Sequence, residues 1–234
     1  MMRLNDPNRL ILSRVARALG DLRESLVFVG GCSTGLLVTA IRAQTIRPTD
    51  DVDMVVQAAT AREYHEVEAL LGERGFVHDM SEDAPICRWR YQGIAVDLMP
   101  SEKSVLGFAN RWYPLAISSA QWVALEDDLA IRLIAAPVFI ATKFEAFQDR
   151  GKGDFLMSHD LEDIITVVDG RVTLIEEVKQ APGYLREALV SNFGKLLAAD
   201  DFLDALSGHL PGDAASQARL AGLLKKLRDL AALG

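Results

Sequence analysis

Cysteine is scarce in this chain of 234 residues: there are two, Cys32 and Cys87. Two isolated thiols build neither a disulfide framework nor a zinc-finger spacing. Histidine is almost as thin. His65, His78, His159 and His209 are scattered without ligand spacing, which argues against a zinc centre. Positive charge is also in deficit, with a formal net charge of −8. That argues against a broad basic surface that coats nucleic acid, though not against a local basic groove. No stretch reaches the roughly 18 apolar residues of a membrane span. The opening MMRLNDPNRL has no long apolar segment of the signal-peptide kind. No membrane association and a cytoplasmic location are the expectation. Internal repeats and low-complexity tracts are missing as well.

What is present is globular. Half the residues are apolar, enough for a sizeable core and too many for a disordered chain. Apolar spacing predicts a helix over 7–22, with Asn5 or Asp6 as caps, and a strand over 26–29 that ends at Gly30-Gly31. A helix over 33–43, a loop over 44–50 stopped by Pro48, a strand over 52–56 and a helix over 61–73 follow. Two hairpins are expected, 87–91 with 94–99 around Gln92-Gly93, and 121–125 with 129–134 around 126–128. Beyond Ala135-Ala136-Pro137 the period is helical, over 138–148, 161–168, 172–179, 184–198 and 214–233. The pattern predicts an α/β head with a mixed sheet over 1–135 and an all-helical C-terminal region over 136–234.

Within the head, "TDDVDMVV" places Asp51 and Asp53 two apart on a strand. They share one face, while Val52 and Met54 point to the other. Two carboxylates a few ångström apart repel each other. A divalent cation removes that penalty, and Mg²⁺ favours carboxylate oxygens together with substrate phosphates. Asp97 in "GIAVDLMP" has the same setting. If its strand lies beside 52–56, three carboxylates converge, as a two-metal site for phosphoryl transfer requires. An isolated D-x-D is also what a solvated strand end looks like. Gly30-Gly31 tips the balance: it follows a strand and opens a helix, where backbone N–H groups face an anion. Ser33 and Thr34 add hydroxyls, and the bland alternative for the glycines is a tight turn. Arg47 precedes the acids in the same loop, and Thr49 is placed to hydrogen-bond them.

Taken together, "VGGCSTG", "TIRPTDDVDMVV" and "IAVDLM" resemble the DNA polymerase β-type nucleotidyltransferase superfamily. The resemblance implies the nucleotidyltransferase fold and an NTP substrate. It implies that Gly31 and Ser33 hold the triphosphate, that Asp51 and Asp53 ligate both metal ions, and that Asp97 completes the ion beside the acceptor; the expected complex seats the NTP over Gly30, Gly31 and Ser33, with one or two Mg²⁺ ions on the three acids. Cys32 stands at a position that varies and receives no role.

A narrower resemblance reaches further along the chain. "RPTDDVDMVV" is similar to a run in the AbiEii-type, nucleotidyltransferase-like toxins of bacterial toxin–antitoxin systems. "FIATKFEAFQDRGKGDFLMSHDLEDIITVVDGR" resembles that group's later motifs, a helical lysine and then D-x-x-D. Lys143 would be the first, steadying the triphosphate. Asp160 and Asp163 would be the second, contacting the nucleotide or orienting Lys143. His159 stands where such proteins carry Lys or Arg. The resemblance implies an acceptor that is RNA, such as a tRNA 3′ end, or a protein hydroxyl, and a cognate antitoxin as partner. Arg42, Arg47, Arg150 and Lys152 would form the local basic groove.

The bland readings stay open beside these. Lys143 lies among Phe139, Ile140, Phe144 and Phe147 and must snorkel or meet an anion. Asp160 also fits a first-turn acid with Ser158 as cap. Trp89, Trp112 and Trp122 suit base stacking, although core or hairpin packing fits two of the three. Two other functions share the pattern: a small-molecule nucleotidyltransferase of the antibiotic-modifying kind, and a non-catalytic binding protein on the same fold.

Overall fold

The computed structural model describes residues 6–40, 46–151 and 153–234. Among them the chain divides into two compact units. One runs to Gly35 and resumes over Arg47–Ala135; the other combines Leu36–Ile46 with Ala136–Gly234.

The first unit carries a seven-stranded mixed sheet: β1 (Leu26–Val29), β2 (Asp51–Val56), β3 (Val77–His78), β4 (Arg88–Tyr91), β5 (Ile94–Pro100), β6 (Gln121–Glu126) and β7 (Leu129–Leu133). Their spatial order is β3-β4-β5-β2-β1-β7-β6. Two pairs are parallel, β2 with β5 and β1 with β7. The others are antiparallel. The β4–β5 hairpin turns on Gln92 and Gly93, both with positive φ (49° and 84°), the backbone that a two-residue hairpin matched to strand twist requires. All four residues of β1 are buried. In β2 the alternation holds: Val52 and Met54 are buried, and Asp51 and Asp53 are half-buried.

Helix α1 (Arg9–Leu19) buries Leu12, Val15, Ala16 and Leu19 along one stripe. Burying each of these leucines and the valine is worth roughly 1.5–3 kcal/mol. Helix α2 is a single turn (Thr34–Leu37). Helix α3 (Ala61–Glu73) starts with a capping box between Thr60 and Glu63. Its Tyr64 is buried and donates its hydroxyl hydrogen to the Leu98 carbonyl at 2.7 Å. Short helices α4 (Lys103–Leu106) and α5 (Tyr113–Ser118) complete this unit. Trp89 and Trp112 are buried and Trp122 is exposed.

The second unit is helical: α6 (Ala136–Arg150), α7 (His159–Gly170), α8 (Leu174–Gln180), α9 (Gly183–Leu197), α10 (Asp200–Ala205), α11 (Ala214–Gln217) and α12 (Leu220–Ala231). Its core includes Phe144 of α6 set edge-to-face against Phe193 of α9, 5.1 Å between ring centres. No helix among the described residues is long and apolar enough to cross a membrane.

Two helices differ from the sequence expectation. The helix expected over 33–43 ends at Leu37; residues 41–43 lie outside the described residues. The N–H groups of Thr39 and Ala40 instead donate to the Gly170 carbonyl at 3.0 and 2.8 Å. They satisfy the open C-terminal end of α7. The helix expected over 214–233 is broken between α11 and α12. At the break Arg219 donates to Asp169 at 3.0 Å, and the Gln217 amide donates to the Ser207, Leu210 and Pro211 carbonyls.

Candidate active site

The strand register brings the three acids together. Asp53 of β2 lies directly opposite Asp97 of β5, and Asp51 lies opposite Ala95. Residues two apart on a strand share a face, so Asp51, Asp53 and Asp97 form a triangle on one side of the sheet. One oxygen from each can be chosen so that all lie within 4.8 Å of one another. Asp97 is buried and the other two are half-buried.

The Gly30 turn is built around one of these acids. Gly30 has φ +69°, and a Cβ placed there would lie 1.7 Å from the Asp53 Oδ2. Any side chain would displace the carboxylate, so the absent Cβ is what lets the backbone close on it. Gly31–Ser33 continues as one 3-10 turn. Ser33 is fully buried; its hydroxyl donates to the Val29 carbonyl at 2.8 Å and its N–H to the Gly30 carbonyl at 3.1 Å. Both groups hold the turn in shape.

Asn8 fixes the loop that enters β2. It is buried; its side-chain amide donates to the Arg47 carbonyl and accepts from the Thr49 N–H, both at 2.9 Å. The Thr49 hydroxyl donates to the Asp51 backbone carbonyl at 3.3 Å, on the strand's main chain. The sequence reading missed Asn8.

It also missed Arg88, on the strand beside Asp97. Arg88 pairs in register with Asp97. Its guanidinium grips that carboxylate with two bonds, Nε to Oδ1 at 2.8 Å and a terminal nitrogen to Oδ2 at 2.7 Å. The same nitrogen lies 3.5 Å from Asp51. The bond to Asp97 holds the guanidinium pKa above its ordinary value, against the opposing effect of burial. A signal was available: in "RWRY", Arg88 and Arg90 alternate with Trp89 as Asp51 and Asp53 alternate with Val52. The alternation puts both arginines on the face opposite the buried tryptophan.

A cavity of about 420 Å³ adjoins Asp51; its lining includes Thr49, Arg88, Arg90 and Ala95. The register explains it. Arg90 lies opposite Ala95, and Ala95 lies opposite Asp51, so a methyl group sits between two long or charged side chains. Both cysteines are spectators. Burial raises the Cys32 thiol pKa far above its usual value and pushes that of Cys87 up to about 12.

The donor set fits a hard divalent cation. Three carboxylates converge, and all-oxygen donors with open positions for phosphate are what Mg²⁺ takes. Asp51, Asp53 and Asp97 are the residues that could hold it.

The second unit gathers the other expected residues. Lys143 of α6 is buried, 3.1 Å from Asp160 and 2.7 Å from Asp163 of α7. Arg150 adds a two-pronged bond to Asp160 at 2.7 and 2.8 Å. Burial works to raise the Asp160 pKa; Arg150 and Lys143 outweigh it and hold the carboxyl below its ordinary value. Ser158 caps α7 through the Leu161 N–H. His159 is exposed and pairs with Glu162. Arg42 and Lys152 lie outside the described residues.

Several known structures are similar to this chain. An antigenic nucleotidyltransferase-like protein from Paracoccidioides brasiliensis is similar over 86% of this chain and 94% of that one, with TM-score 0.52 and 19% identity. The antibiotic-resistance factor ANT(2'')-Ia aligns over 81% of this chain and 95% of its own, with TM-score 0.48 and 15% identity. JHP933 from Helicobacter pylori aligns over 100% and 91%, with TM-score 0.47 and 13% identity. No family model matches the chain, and no curated protein sequence matches it. The first of these likenesses establishes a nucleotidyltransferase-like fold.

Proposed function

We propose that this chain is a Mg²⁺-dependent nucleotidyltransferase that moves a nucleoside monophosphate from an NTP to an acceptor hydroxyl. One observation carries the reading: the acid triangle of Asp51, Asp53 and Asp97 on one sheet face, with the Gly30 turn closed onto Asp53. Three carboxylates at this spacing repel one another, and the two-pronged bond from Arg88 engages Asp97, so the crowding has a clear use in binding a divalent cation.

Asp51 and Asp53 would hold one or two Mg²⁺ ions, and Asp97 the ion on the acceptor side. Bound there, the ions supply charge neutralisation for the transferred phosphoryl group. The chain itself supplies position. The Gly30-Gly31 turn places backbone next to Asp53, which supports a triphosphate seated over Gly30, Gly31 and Ser33. Asn8 steadies Arg47 and Thr49 at the entry to β2. The cavity beside Asp51 is of a size that holds a small substrate group. In the transfer, the acceptor oxygen bonds to the α-phosphorus, the bond to the bridging oxygen breaks, and pyrophosphate leaves.

Lys143, Asp160 and Asp163 enter this reading as support. Lys143 would steady the triphosphate only by exchanging a carboxylate partner for phosphate. Its two short carboxylate contacts favour a positioning role that fastens α7 to α6. For the acceptor we propose RNA, a tRNA 3′ end in particular, or a protein hydroxyl, in the manner of a toxin restrained by a cognate antitoxin. The support is the motif run from Arg47 to Asp163.

The test uses α-³²P-labelled ATP, CTP, GTP and UTP with Mg²⁺, total bacterial RNA and bacterial protein. Label should move to tRNA-sized RNA or to a protein band with wild type and not with Asp53→Ala. Transfer to a small hydroxylated acceptor alone would move the reading to the antibiotic-modifying kind. No transfer, with no Mg²⁺-dependent NTP binding by the folded protein, would overturn it.

A further inference from the structure

Arg88 already occupies the oxygens a cation would need. Both oxygens of Asp97 accept from its guanidinium, at 2.8 and 2.7 Å, and the fork reaches to 3.5 Å from Asp51. This placement follows from the register of β4 on β5, which puts Arg88 opposite Asp97. Nor is Arg88 fully enclosed: its side chain keeps 23% of its surface exposed, and the residue lines the roughly 420 Å³ cavity beside Asp51.

We propose that Arg88 is an exchangeable internal counter-ion of the acid triangle, competing with the divalent cation for Asp97. The inference rests on the nucleotidyltransferase reading and adds a control on it. With Arg88 in place the triangle carries less free negative charge, and a bare cation binds it weakly. A cation arriving with triphosphate oxygens brings extra ligands, displaces the guanidinium from Asp97 and leaves it facing the cavity. The fork geometry matters, because a guanidinium blocks both carboxylate oxygens at once, whereas an ammonium is a single point.

The experiment measures Mn²⁺ binding directly, from the free-ion signal in electron paramagnetic resonance, with no nucleotide and no turnover. Wild type, Arg88→Met, Arg88→Lys and Asp53→Asn are compared. Arg88→Met should bind Mn²⁺ more tightly than wild type by on the order of ten- to a hundredfold, the span of a hydrogen bond to a charged group. Arg88→Lys should fall between them, and Asp53→Asn should lose the site. If Arg88→Met folds poorly alone, Mn²⁺ should raise its melting temperature more than that of wild type; Arg88→Lys keeps a cation and reads the competition independently. Unchanged or weaker binding in both Arg88 variants, with Asp53→Asn still deficient, overturns the counter-ion while leaving the nucleotidyltransferase reading in place. No Mn²⁺ site in any of the four proteins overturns both.

Discussion

The two units each hold a knot of charge, and the knots are built on opposite principles. On the sheet of the first unit three carboxylates converge, and the guanidinium of Arg88 grips Asp97 and comes within 3.5 Å of Asp51. Between α6 and α7 of the second, Asp160 and Asp163 meet the ammonium of Lys143 and the guanidinium of Arg150. The helical knot is balanced and mostly buried, and its acids are 4% and 2% exposed. The sheet knot crowds three carboxylates and opens onto a cavity at Asp51 and Arg88. Buried acids met by cations are a fastening, because each partner's desolvation is offset by the other. Carboxylates crowded at an opening repel one another and leave room for a ligand of opposite sign. On the function proposed above, the difference separates what holds the protein together from what it acts with.

If that contrast is right, removing one charge has opposite consequences at the two knots. Lys143→Met leaves Asp163 without its 2.7 Å ammonium partner and should cost about 3–5 kcal/mol, the range for breaking a buried pair, read by urea unfolding. Asp53→Asn relieves repulsion instead. Its unfolding midpoint should hold or rise, while nucleotidyl transfer falls by about 10²–10³-fold, as when one group stabilising transferred charge is lost. Lower NTP affinity for Lys143→Met at an unchanged melting temperature would erase the contrast and make Lys143 a nucleotide ligand.

The sheet knot was the more legible of the two from sequence. Alternation on a strand is a local rule, so Asp51 and Asp53 could be put on one face without any tertiary knowledge. Asp97 needed one further step, the pairing of β5 with β2, and parallel pairing across an intervening α3, β3 and β4 is not a local property. Arg88 was within reach of the sequence, because the two-residue Gln92-Gly93 turn sets the hairpin register that puts Arg88 opposite Asp97, but the reading stopped at the turn. Asn8 was missed because it bonds a loop some forty positions away, which no local rule connects to it. The helices after Ala135 were visible by period. The end of α2 was not, because the Gly170 carbonyl that captures Thr39 and Ala40 comes from the far half of the chain.

A smaller perturbation probes how tightly the sheet knot is shaped. Gly30→Ala adds a methyl group where the Asp53 carboxylate lies, at a residue with φ +69°. Forcing a side chain into that backbone region costs about 1–3 kcal/mol. Thermal melting should show that loss. Mn²⁺ affinity should fall as well, because the collision moves a carboxylate of the triangle. Lost stability with unchanged Mn²⁺ affinity would mean that the turn and the acids are independent.

The smallest expected effect is the pH response of the helical knot. The folded pKa of Asp160 lies below its unfolded value. The linkage sign is therefore that of a depressed carboxylate: its contribution is present above the ordinary value of about 4 and is lost as pH falls through the folded value. Asp160→Asn removes the titrating group while keeping its shape. The stability gap between wild type and this variant should be constant from pH 7 to about pH 5, then narrow on further acidification. Guanidinium unfolding at a series of pH values measures it. A gap that stays constant at low pH would mean that Asp160 fastens the helices through hydrogen bonds that survive protonation, and the balance of charge would then not be what distinguishes the two knots.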